Sequence, residues 1–131
     1  MTQSLAKMNA TMAVRILFNK LGPFISLLLE EDLKEEIARA IHPQTVGVSE
    51  LGNVKRRVSE LHKQVKELAI DKTIEGAAHY YTLSALVSYL DLAWAIALNA
   101  FSVTLDLKVA IADSKVEDLE NMFGHLLEKK K

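Results

Sequence analysis

From Gly76 to Leu105 the chain carries one formal charge, Asp91, and after Gly76 it meets no glycine or proline until Gly124. An apolar helix of that length must be hidden on most of its circumference, by its own domain, by copies of itself or by lipid. At 100° per residue, Ser84, Ser88, Asp91, Ala95, Asn99, Ser102 and Asp106 fall in one strip about 80° wide. The opposite side carries Leu83, Val87, Leu90, Trp94, Leu98, Phe101 and Leu105. Because the strip keeps its phase over about six turns, the pattern predicts one continuous apolar helix, about 74–112, rather than two helices broken at Asp91.

Only helical periodicity appears elsewhere. Sustained apolar/polar alternation and Asn-Gly or Asp-Gly hairpin turns are missing. A first helix is predicted from Ser4 to about Lys20, stopped by Gly22 and restarted by Pro23, the usual order of glycine past an end and proline at a first turn. A second helix then covers Pro23 to about Ile41, with Leu29, Leu33, Ile37 and Ile41 on one stripe and Glu30, Glu31, Asp32, Glu35 and Glu36 outside it. After a loop containing Pro43 and Gly47, Ser49 opens a third helix. Its seam Leu51, Val54, Val58, Leu61, Val65, Leu68 steps by 3, 4, 3, 4, 3, the spacing of knobs-into-holes packing. Three heptads are short for a free-standing coiled coil, which favours packing inside a bundle. A last helix is predicted from the capping box Ser114/Glu117 to about Leu127, ahead of the basic tail Lys129–Lys131. The fold class is therefore all-α: one domain, 1–131, an up-and-down bundle of four to five helices with one long apolar member.

Composition narrows the function. The 131 residues are 50% hydrophobic and 25% charged, which excludes disorder and leaves a small apolar surplus. Sixteen basic and seventeen acidic groups give a net charge of −1, so no overall field draws in nucleic acid. Without cysteine there are no disulfides, thiolate metal sites or cysteine nucleophiles. Residues Met1–Ala13 lack the basic-then-apolar layout of a secretory signal. The uncharged runs Gly76–Leu90 and Leu92–Leu105 span fifteen and fourteen residues, short of the ~20 a bilayer needs. Joined, they would set Asp91 near the bilayer centre at about 2.5–3.5 kcal/mol, so a membrane-associated helix ranks behind a self-buried one. A rod over 74–112 would be about 58–60 Å long, against about 36 Å for the diameter of a compact domain this size. That mismatch predicts self-assembly through Leu83, Val87, Leu90, Trp94, Leu98, Phe101 and Leu105.

Catalytic chemistry finds little footing. His42, His62, His79 and His125 lie on different segments, and none has the Glu-x-x-His spacing of a di-iron bundle. Glu75 and His79 read as an ordinary i,i+4 pair rather than half a metal site. Phosphate-loop, His-Glu-x-x-His and Gly-x-Ser-x-Gly patterns are missing. The expectation is no catalytic residues, no cofactor and no metal. The aromatics Tyr80, Tyr81, Tyr89, Trp94 and Phe101 read as core or contact residues.

Nucleic acid is the rival partner. Lys55, Arg56, Arg57, Lys63 and Lys66 put cations on the third helix, with Glu60 and Glu67 beside them to pair part of that charge. The acidic run Glu30–Glu36 also offers an electrostatic match to Lys55–Arg57, within the bundle or between copies. Asp91 and Asp106 either face solvent or lie at a subunit contact, where they would be protonated or hydrogen-bonded.

A cysteine-free helical chain of this length, with Gly-Pro between two early helices and the segment Ser84-Ala-Leu-Val-Ser-Tyr-Leu-Asp-Leu-Ala-Trp-Ala-Ile-Ala-Leu-Asn-Ala-Phe101, resembles the small virion structural proteins, or coat proteins, of large spindle-shaped archaeal viruses. The resemblance lies in overall character across the chain. It implies a non-enzymatic, thermostable α-helical bundle repeated many times in a virion shell, made in the host cytoplasm and exposed to hot, acidic surroundings. The implied partners are copies of itself and viral DNA, with lipid contact ranked lower. No catalytic residues carry over.

Overall fold

The computed structural model describes the backbone of residues 2–29, 31–41, 48–69, 73–98 and 103–128, with side chains for 12–29, 31–38, 49, 51–65, 73–98 and 105–128. The described residues form helices α1 (Thr2–Leu28), α2 (Glu31–Ile41), α3 (Val48–Ala69), α4 (Ile74–Ala97) and α5 (Val103–Glu128), without strands. The all-α bundle expected from periodicity is the fold. Its helix boundaries differ from those expected. α2 begins at Glu31 rather than Pro23, and α3 begins at Val48, so that Ser49 lies inside it rather than capping it. Three further differences have a clear physical cause.

First, α1 runs straight through Gly22 and Pro23. Leu17, Leu21, Phe24 and Ile25 are all buried, a stripe at i, i+4, i+7 and i+8 that stays in register only if the helix continues. Proline inside a helix costs about 3 kcal/mol, whereas burying one such side chain returns about 1.5–3; four together outweigh the break. Gly22 has no Cβ to collide with the proline ring, and Pro23 itself is exposed.

Second, the long apolar helix of 74–112 does not form. α4 ends at Ala97, where the Leu98 amide bonds the Trp94 carbonyl at 3.0 Å, and α5 begins at Val103. The chain folds back: Lys108 reaches Asp91 and Lys115 reaches Ser84, seven residues forward on α5 for seven backward on α4. Antiparallel return buries the apolar surface that a straight rod would have left in water.

Third, Asp113 and Ser114 lie inside α5 rather than at a new helix start. Leu105, Ala112, Val116, Leu119, Phe123 and Leu126 form one buried stripe across them, so Ser114 and Glu117 do not form a cap.

α4 is the axis of the bundle. Thr73, in extended conformation, caps it by accepting the Gly76 amide at 2.8 Å. α1, α3 and α5 all pack on it, α1 also packs on α5, and α2 packs chiefly on α3. Ala78, Thr82, Leu83, Ala85, Leu86, Tyr89, Leu90, Leu92 and Ala95 of α4 are buried. The α3 seam meets this surface, with Leu51, Val54 and Val58 buried and Leu61 and Val65 partly so; Leu68 lies outside the described side chains.

Candidate functional site: a lysine-rimmed furrow over α4

One stripe of α4 escapes full burial. Ser84, Val87, Ser88, Asp91 and Trp94 are half-buried, and they look out between α3 and α5, which run antiparallel to α4 on either side. From the α3 rim, Lys55 Nζ donates to Asp91 Oδ1 at 2.9 Å. From the α5 rim, Lys108 Nζ donates to Asp91 Oδ2 at 2.6 Å, and Lys115 Nζ donates to Ser84 Oγ at 3.3 Å. Asp91 is thus clamped from both sides. Partial burial pushes its carboxyl up, but the hydrogen bonds from Lys108 and Lys55, with their charges, outweigh burial and hold it below the ordinary carboxylate range. Two ammonium groups grip one carboxylate, and a third, Lys115, stands two turns away on the hydroxyl of Ser84.

Aromatic rings close the furrow at both ends. Near the α4 C-terminus, the Trp94 ring lies against the α3 backbone at Gly52, with Lys55 Nζ 5.8 Å from its centroid. Near the N-terminus, His62 stacks on Tyr80 at 4.7 Å, Tyr80 meets Tyr81 edge-on at 5.5 Å, and Tyr81 leans on Phe123 at 5.6 Å. These contacts run from α3 across α4 to α5.

The structure divides the basic residues of α3. Lys55 turns into the furrow, while Arg57 turns the other way and pairs with Glu36 of α2, the electrostatic match between the second and third helices. Arg56 is exposed and hydrogen-bonds Asn53 at 3.3 Å, and Lys63 is exposed. The side chain of Lys66 lies outside the described residues. Lys108 and Lys115 were absent from the sequence-based set. Their seven-residue spacing, which sets both on one face of α5, was the available signal, but a continuous 74–112 helix left no route for that face to meet α3.

The polar strip is likewise redistributed. Ser84, Ser88 and Asp91 belong to α4, whereas Asp106 is exposed on α5; the two carboxylates do not share a surface. Of the expected self-association residues, Leu83, Leu90 and Leu105 are core, at 0–1% exposure, and Val87 and Trp94 pack partly buried against that core. Leu98 is exposed, and Phe101 lies outside the described residues. Leu83, Leu90 and Leu105 therefore do not belong to an outer face: they are buried within the subunit.

Among the described residues, no three His, Cys, Asp or Glu side chains gather as metal ligands, and no helix is long and apolar enough to cross a membrane. A shallow, open depression between α1 and α5 is lined by residues including Asn19, Lys20, Phe24, Glu120 and His125. No protein-family model, curated protein or solved structure matches this chain.

Proposed function

We propose that this chain is a non-enzymatic structural subunit that self-associates, a helical building block of the kind its resemblance to spindle-shaped-virus coat proteins implies. The contact surface differs from the one its hydrophobic pattern suggested. The observation that supports the reading is the apolar surface left outside the bundle: Met12 and Ile16 at 56% and 50% exposure on α1, and Leu107 and Ile111 at 59% and 43% on α5. Each pair sits one helical turn apart, so each forms a short strip rather than an isolated point. Contacts made this way rest on apolar burial and survive acid that neutralises carboxylates.

Light scattering and electron microscopy of the pure protein from pH 3 to 8 test the proposal. Ordered assemblies are expected. Met12→Lys with Ile16→Lys, or Leu107→Lys with Ile111→Lys, should abolish them while leaving the helical circular dichroism unchanged. A wild-type chain that stays monomeric at millimolar concentration throughout this range would overturn the reading.

A further inference from the structure

We propose that the furrow over α4 binds a single-stranded nucleic acid, its phosphates held by Lys55, Lys108 and Lys115 and its bases stacked at the aromatic ends. Binding of this kind is independent of self-association and stands or falls on the furrow alone.

Charge comes first. Asp91 occupies one acceptor position for each of two lysines, and an ammonium group has three donors. Each keeps capacity for a second oxygen, while Lys115, among the described residues, is engaged by a neutral hydroxyl alone. The side chains of Lys55 and Lys108 are 30% and 34% exposed, so their heads are reachable from within a groove rather than displayed on a ridge. A slender strand enters such a groove more readily than a duplex.

Arrangement comes second. Lys108 and Lys115 are two turns apart, about 10.5 Å along α5, with Lys55 facing them across the floor. The aromatic ends, Trp94 and Tyr80, are fourteen residues apart on α4, about 21 Å. At 3.4 Å per nucleotide of a stacked strand that is room for roughly six. A positively charged track with rings on which bases stack is how sequence-tolerant single-strand binding is built. An acidic peptide would use the lysines but leave the rings without a role.

Trp94 is the only tryptophan in the chain, so its emission reports on the furrow directly. The experiment titrates the full-length protein with a twelve-nucleotide oligothymidylate at 50 mM salt, following Trp94 fluorescence and oligonucleotide anisotropy together. The expected result is quenching of Trp94 in step with binding, and an affinity that falls with salt at a log–log slope of about −2, as three phosphate contacts on a single strand require. Lys108→Gln with Lys115→Gln should weaken binding at least tenfold with circular dichroism unchanged, and the paired Lys→Arg variant should retain it. Absence of binding overturns the proposal. So does binding that ignores the Lys→Gln pair, leaves Trp94 unquenched, or is matched by a duplex of equal length or by polyglutamate.

Discussion

Gly52 of α3 lies directly beneath the Trp94 ring of α4: a Cβ built on Gly52 would stand 2.6 Å from Trp94 Cζ3 and 2.8 Å from Cη2. No side chain fits there unless the indole moves, and the indole is itself packed against the core. Alanine would gain about 1 kcal/mol of helix propensity at this position, but overpacking costs about 1–3. Gly52→Ala should therefore destabilise the fold by up to about 2 kcal/mol in urea unfolding and shift Trp94 emission. Trp94→Phe in the same background should recover most of the loss.

The clamp on Asp91 makes stability depend on acid. Its folded pKa lies below the ordinary value of 3.8, so the clamp contributes fully above that value and its contribution drains away as pH falls through the folded pKa. The carboxylate side chain is 35% exposed, and solvent screening keeps the contribution to about 1 kcal/mol or less. Asp91→Asn should lose that amount at pH 7 and flatten the stability profile below about pH 4. Denaturant melts at stepped pH check both.

Tyr89 is fully buried, its ring 5.9 Å from Phe18, and its hydroxyl finds no hydrogen-bond partner among the described residues. The Thr82 hydroxyl, two turns earlier on the same face, is in the same position. Burial pushes the Tyr89 phenol up, well beyond its ordinary range. An unsatisfied buried hydroxyl costs about 1–3 kcal/mol, so Tyr89→Phe should be neutral or stabilising by about 1. In wild type, Tyr89 should resist alkaline titration, followed by phenolate absorbance, until the chain unfolds. Because its folded pKa is raised, stability is lost as pH climbs past the unfolded value near 10.

Two positions carry backbone cost without packing benefit. A Cβ on Gly124 meets nothing within 4 Å, and exposed Pro23 denies Asn19 its helical hydrogen bond. Gly124→Ala should stabilise by about 0.5–1 kcal/mol and Pro23→Ala by about 1–3. Thermal melts decide, and a loss at Pro23→Ala would mean that the proline sets a bend the bundle needs.

Local patterns were legible where burial and propensity agree. The α3 seam reads directly from its 3-4 spacing and packs as expected from Leu51 to Val65, and the ion pair of Glu36 with Arg57 follows from the opposed charge runs. Punctuation misled where tertiary burial overrides it. Gly22-Pro23 reads as a stop, but four buried side chains carry α1 through it. Between Leu98 and Val103 the reverse holds, since neither glycine nor proline marks the fold-back that lets α5 bury α4. That one unmarked turn accounts both for the burial of Leu83, Leu90 and Leu105 and for the second rim of the furrow, because only a chain that doubles back brings Lys108 and Lys115 across from Lys55.

α2 is held differently from the rest. It packs chiefly on α3 through the buried Leu33 and Ile37 and the Arg57–Glu36 pair, while Lys34 reaches the Ser26 carbonyl on α1 at 3.0 Å. Such a clasp can unlatch while the remaining four helices stay closed. Amide protons of 31–41 should accordingly trade for deuterium well ahead of those in α4, at a rate that Glu36→Gln hastens.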